Sequence, residues 1–262
     1  MADADGGAAR TIFDRVQELV ATGVPVAVAT VVRGAGVGSK LLVLPDGVEG
    51  EGSFANLGLG QVVETAAREA LRAEQSGVHT FGTTEVFIDV HPQPPRLVIV
   101  GAVHIAQALV PLAKTLGFHV TVVDARAALA TRERFPEADD IVVAWPDDAF
   151  ARLEVTPKTF VAILTHDPKF DEPALLAALA TEAGYIGAIG SRKTNEERRE
   201  RLLAAGITEE QLARVRAPIG LDLGGGTPEE MALSIAAEMI AVKNGRSGGS
   251  LRQTTGRIRA DG

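Results

Sequence analysis

The chain has no cysteine among its 262 residues. That excludes disulfides, thiolate metal sites, a cysteine nucleophile and any persulfide carried on this chain. Aromatic residues are scarce, and one Trp and one Tyr leave little surface for ring stacking. Positive charge is in the minority, and a net charge of −8 argues against nucleic acid as a main partner. No apolar run has the length of a membrane span. The opening residues, MADADGGAAR, carry neither the basic nor the apolar stretch of a secretory signal. A soluble, cytoplasmic protein is expected. Catalytic signatures are missing too: there is no G-x-S-x-G elbow and no H-E-x-x-H pair. Asp167 and Asp171 have no clear metal-ligand spacing. No catalytic or metal-binding residue is assigned.

What is present centres on residues 97–124, LVIVGAVHIAQALVPLAKTLGFHVTVVD. Leu97–Val100 has the length and branching of a buried parallel strand. A turn follows at Gly101, and a helical apolar period then runs through Ile105, Leu109, Leu112, Ala113 and Leu116. Gly117 stops that helix where a positive φ is cheap. A second apolar strand, His119–Val123, ends in Asp124. Strand, turn, helix, strand and acid form a βαβ dinucleotide-binding unit, with Asp124 where a ribose-binding carboxylate belongs. The glycine fingerprint is incomplete: Gly101, Val103 and Ala106 occupy its three positions, so a β-branched side chain replaces the middle glycine. A nucleotide site and a domain of the same shape that binds nothing at this turn both remain open.

The length allows one large domain or two small ones. The cluster His91-Pro92-Gln93-Pro94-Pro95 reads as a semi-rigid linker. It predicts an N-terminal α+β domain over 1–93, a Rossmann-like α/β domain over 94–245 and a flexible Gly/Ser/Arg tail over 246–262. In the first domain the pattern predicts a helix over 8–22, strands at Val24–Val32, Leu41–Leu44 and Thr84–Val90, and a helix over Leu59–Ala73. Arg33–Lys40 is glycine-rich, but lacks P-loop spacing; a plain hairpin connection and an anion loop are both compatible with it. In the second domain strands are expected at Ile141–Trp145, Phe160–Leu164 and Tyr185–Ile189. Helices are expected from Asp171-Glu172-Pro173, from Asn195 with Thr194 as cap, from Thr208 and over Glu229–Val242.

In an open parallel sheet, ligands bind beyond the carboxyl ends of the strands. The polar tips there are the candidates: Gly101, Ala102, His104 and Ile105 at the first turn, with Asp124 and Arg126 after the second strand. Thr165, His166 and Asp167 follow a later strand, then Gly190, Ser191, Arg192 and Lys193, and finally Asp222 and Gly224. Two cations and a hydroxyl before a helix start favour an anion at Ser191–Lys193, unless they only begin a solvated face with Arg198, Arg199 and Arg201. His166-Asp167 could act as an acid–base pair, although a turn with Asp167 as helix cap fits better. His79, His91 and His119 are scattered and read as structural.

Several runs occur together in a characteristic order: Tyr185–Lys193, Pro218–Gly224, Thr227-Pro228-Glu229-Glu230 and Ser234–Glu238, preceded by Leu164–Asp167 and Asp171–Leu175. Over roughly residues 96–243 they resemble the Rossmann domain of the XdhC/CoxI family. The resemblance implies a maturation factor that binds molybdenum cofactor (a molybdopterin) and hands it to the apoenzyme of a molybdenum hydroxylase of the xanthine or carbon monoxide dehydrogenase type. A cysteine desulfurase is a further expected partner, and a homodimer the expected assembly. The family's Gly-x-Gly-His turn is matched at Gly101, Ala102 and His104, and broken at Val103. Its Ser-Gly-Gly-Cys-Val-Glu run is replaced after Gly52-Ser53 by Phe54-Ala55-Asn56-Leu57-Gly58. Two rivals stand beside it: an NAD(P)-dependent oxidoreductase, with Asp124 on the ribose of NAD or Arg126 on the 2′-phosphate of NADP, and a non-catalytic scaffold.

Overall fold

A computed structural model describes residues 11–51, 54 and 58–253. The chain divides into two compact units, one running to Gln93 and the other starting at Pro94.

The first unit contains α1 (Ile12–Ala21), β1 (Val26–Arg33), β2 (Lys40–Val43), β3 (Val48–Glu51), α2 (Gly60–Ala73), β4 (Gly77–Phe81) and β5 (Thr84–His91). The strands form one sheet in the order β3-β2-β1-β5-β4, antiparallel throughout. Thr11 and Asp14 close α1 with a capping box; the expected residues 8–10 of this helix lie outside the described residues. The glycine-rich loop is the hairpin connection between β1 and β2. β3 and β4 were not expected. Both are short outer strands, and Gly50, Gly77 and the half-exposed pattern of β4 hide them from a periodicity search. The expected Gly50–Gly60 loop therefore gives up its first two residues to β3, and Gly52, Ser53 and Ala55–Leu57 of the replaced family run lie outside the described residues.

The second unit contains β6 (Arg96–Val100), α3 (His104–Thr115), β7 (His119–Val123), β8 (Asp140–Val142), α4 (Pro146–Phe150), β9 (Thr159–Ile163), α5 (Pro168–Leu179), β10 (Tyr185–Ala188), α6 (Arg192–Ala204), α7 (Glu209–Leu212), β11 (Val215–Arg216) and α8 (Pro228–Lys243). All six strands are parallel, in the order β11-β10-β9-β6-β7-β8. Counted within the unit this is the doubly wound order of a Rossmann fold. Strand alternation feeds two cores: Leu97 and Ile99 join the core under α3 and α8, while Val98 and Val100 join the one under α4 and α5. Gly117 follows the α3 cap with φ +81°.

Several boundaries move, and two helices begin earlier than expected because a stronger start signal lies upstream. α5 begins at Pro168, with the Asp167 carboxylate accepting from the Lys169 N–H, so Pro173 sits inside the helix rather than opening it. α6 begins at Arg192 with Ser191 as its cap; Thr194 is its third residue, and Thr194 N–H donates to Ser191 Oγ. β8 stops at Val142, and Trp145 is already the residue that caps α4. α8 keeps the expected Thr227/Glu230 capping box with Pro228 first. At the start of the expected tail, Gly248 lies against Leu221 and Ala241, and Leu251–Gln253 forms one 3-10 turn. Residues 254–262 of the tail lie outside the described residues.

Candidate functional site

β6 pairs with β7 on one side and β9 on the other, so the chain reverses its direction of winding at the ends of β6 and β9. Ligands enter such sheets at that point. There Gly101 has φ +110°, and a Cβ on it would meet Thr165 Cγ2 at 2.5 Å. Only glycine lets the turn lie on the end of β9. Gly101 N–H donates to Val123 O (2.8 Å), and Ala102 N–H to Asp124 Oδ2 (2.8 Å). Val103 then opens α3 without a side-chain cap. Val103 itself is half-buried and packs against the core, so the residue that breaks the glycine fingerprint turns much of its side chain away from the turn. His104 is the first helical residue and is exposed. Ile105 and Ala102 belong to the core and offer no side chain to the mouth.

Asp124 is 3% exposed. Its Oδ1 accepts from Arg126 N–H and Arg126 Nε (2.9 Å each), and its Oδ2 from the Ala102 N–H and an Arg126 terminal nitrogen (2.8 Å each). A carboxylate has about four acceptor sites, and all are taken inside the protein. Burial acts to raise its pKa, but the hydrogen bonds from Arg126 and Ala102 outweigh that and hold it below the usual carboxylate value. The residue expected to hold a ribose diol instead locks the Gly101 turn onto β7.

The structure assembles a second network that sequence reasoning missed. Thr165 Oγ1 donates to Asp171 Oδ1, and Arg198 pairs with Asp171 Oδ2 at 2.8 Å. Arg198 also donates to Ile189 O (3.0 Å) and to Asn195 Oδ1, while Asn195 Nδ2 donates to Gly190 O (3.0 Å). The Asp171 and Arg198 side chains are only 3% and 5% exposed. Burial pushes the Asp171 carboxyl up to about 6 against the pull of Arg198. Arg198 therefore does not continue a solvated face. The signal was available: Arg198 lies four residues before Leu202, the other buried residue of an otherwise polar helix.

The remaining candidates lie on other elements. His166 and Asp167 are exposed, with Asp167 serving as the α5 cap. Ser191 caps α6, Lys193 lies 3.9 Å from Glu197, and Arg192 lines a groove of about 510 Å³ with Leu212, Val215 and Pro218. Arg192 and Lys193 are both exposed in the first turn of α6. Asp222 and Gly224 are exposed on a loop whose helix start is already occupied: Glu230 Oε2 accepts from Gly226 N–H (2.8 Å) and Thr227 N–H (3.1 Å). The loop is held to α8 by Glu238, whose Oε2 accepts from Tyr185 OH (2.6 Å) and Gly220 N–H (3.0 Å). Among the described residues no cluster of three or more His, Cys, Asp or Glu could hold a metal. No described helix is long and apolar enough to cross a membrane.

A model of the XdhC Rossmann domain matches residues 97–239. The Escherichia coli protein YqeB is 30% identical over 91% of this chain and 47% of its own length. A probable xanthine dehydrogenase subunit of Bacillus subtilis is 32% identical over 63% of this chain and 48% of its own. The molybdenum cofactor insertion chaperone PaoD of Escherichia coli is 30% identical over 56% and 40%. The chain thus spans about half or less of these relatives' length. The crystal structure of a protein described as a xanthine dehydrogenase, from Bacillus halodurans, shares the fold, with a TM-score of 0.56 at 21% identity over 91% of this chain and 95% of that one. With the matched domain covering more than half of its residues, and with the strand order and turn described above, this chain belongs to the XdhC family.

Proposed function

We propose that this chain is an accessory factor that binds molybdenum cofactor and delivers it to the apoenzyme of a molybdenum hydroxylase of the xanthine or carbon monoxide dehydrogenase type. The observation that carries this is the start of α3: an uncapped helix N-terminus directly behind the Gly101 turn, at the reversal point of the sheet. Free N–H groups and the helix dipole suit a phosphate, which a molybdopterin carries. Gly101 supports the reading by fixing the turn that precedes this helix start against Thr165. His104, the first residue of α3, is exposed and available as a donor, and His166, which follows the Thr165 packed on Gly101, is also exposed. When bound, the group supplies the redox centre of the recipient enzyme; this chain's residues bind, orient and release it. The names of two relatives point the same way.

A homodimer in the cytoplasm is the proposed working form. This chain holds no thiol, so sulfur for the cofactor would come from a partner, a cysteine desulfurase. The NAD(P) alternative is weakened by Asp124, whose acceptor sites are filled. The test is direct. Freshly purified protein should release a pterin that becomes fluorescent on oxidation, and the loaded protein should activate an apo-hydroxylase. If it carries no pterin and transfers none when loaded in excess, the proposal fails.

A further inference from the structure

Trp145, the single tryptophan of the chain, has no part in the site described so far. It lies just beyond β8 and is 46% exposed, yet it is held in place. Its ring lies parallel on Phe170, with centroids 4.6 Å apart and 9° between the planes. Phe170, in the first turn of α5, also carries the Arg126 guanidinium 5.3 Å from its centroid. Arg126 is bonded to Asp124, and Asp124 to the Ala102 N–H. An unbroken line of contacts therefore runs from the Gly101 turn along the carboxyl edge of the sheet to an exposed indole face.

Such a face has a use. A fixed aromatic ring loses little freedom when a second ring stacks on it, so the contact is pre-organised. Every nucleobase has a π-face, and a pterin offers a similar flat heteroaromatic surface. Arg126 keeps a positive charge between that surface and the start of α3, and its side chain is 43% exposed.

We propose that Trp145 is the stacking platform for a planar heteroaromatic ring, pterin or nucleobase, of a ligand whose phosphate sits at the start of α3. This rests on the proposal that the α3 mouth holds a phosphate-bearing cofactor, and adds where its ring goes.

The experiment uses the full chain with GDP, CDP and 6-carboxypterin as probes and ribose 5-phosphate as the ringless control. Tryptophan emission and calorimetry are followed together; with one tryptophan, any quenching is Trp145's. A ring-bearing probe should quench, and the probe that does so separates a nucleobase from a pterin. Trp145→Leu should weaken that probe about 10-fold or more, leave ribose 5-phosphate unchanged, and be largely rescued by Trp145→Phe. If Trp145→Leu does not fold, quenching in the wild type and the affinity of Trp145→Phe decide. Absence of quenching by every probe, or unchanged affinity in the variants, overturns the proposal. Equal pterin content in wild type and Trp145→Leu would overturn the platform alone. GDP quenching in a protein that never carries or transfers pterin would overturn the cofactor-delivery proposal alone.

Discussion

Replacing Asp171 with alanine strips the partner from a guanidinium that is 5% exposed. Arg198 keeps Ile189 O and Asn195 Oδ1 as acceptors, but its charge has no counter-ion. Breaking one side of a buried pair costs about 3–5 kcal/mol, because the surviving ion stays desolvated. Thr165 Oγ1 also loses its acceptor, a further cost of about 1 kcal/mol. For a unit of this length each kcal/mol moves Tm by about 2–4 °C, so a drop of roughly 8–24 °C is expected. Arg198→Met, which leaves the carboxylate alone, should cost a similar amount. The double variant Asp171→Leu/Arg198→Met holds no buried charge and should return to within about 2 kcal/mol of wild type, or exceed it. Urea titrations followed by tryptophan fluorescence report on this unit directly, since Trp145 stacks on Phe170, the neighbour of Asp171. Single variants costing less than about 1 kcal/mol, or a double variant equal to the sum of the two, would refute the reasoning.

Protonation gives an independent readout. Asp171 is raised from 3.8 to about 6, so between those values the folded state binds more proton than the unfolded one and gains stability as pH falls. Melting curves of wild type and Asp171→Asn from pH 7 to 4 should shift in the wild type's favour on acidification; a constant difference counts against it. Asp124 is lowered, so its contribution is present above its unfolded value and is lost on further acidification. Wild type minus Asp124→Asn should therefore shrink below about pH 4, and a difference that grows there would contradict the assignment. Gly101→Ala combines a φ of +110° with a contact of 2.5 Å to Thr165; a loss of about 2–3 kcal/mol is expected by urea titration, and a neutral result would mean the turn is not packed on β9. Glu238→Ala leaves Tyr185 OH and Gly220 N–H without their acceptor. It should cost about 2–3 kcal/mol and speed hydrogen exchange at Gly220; unchanged exchange would show the loop is held otherwise.

Much of this protein was legible in one dimension. Leu97–Asp124 announces its βαβ unit because buried parallel strands are continuously apolar and Gly117 has to stop the helix between them. The capping box at Thr227 also read directly, since a cap is a contact between residues three apart, whereas the box read at Thr194 gave way to Ser191 as the cap of α6. Short strands such as β3, β4 and β11 did not, because their stability comes from pairing with neighbours rather than from their own composition.

The site divides along the same line. Position in the sequence put Gly101, Asp124 and Thr165 at strand ends, and strand ends are where an open sheet binds. Only the folded chain could decide what each does there. Asp124 spends its acceptors on Arg126 and the Ala102 N–H, and Arg198 leaves a charged surface helix to meet Asp171 in the interior. Arg192, in the same helix, lines a groove with Leu212, Val215 and Pro218. Local pattern fixes which residues share an element, because that depends on neighbours along the chain. Which polar groups find each other across elements depends on packing distances of a few ångströms, which no spacing in the sequence encodes.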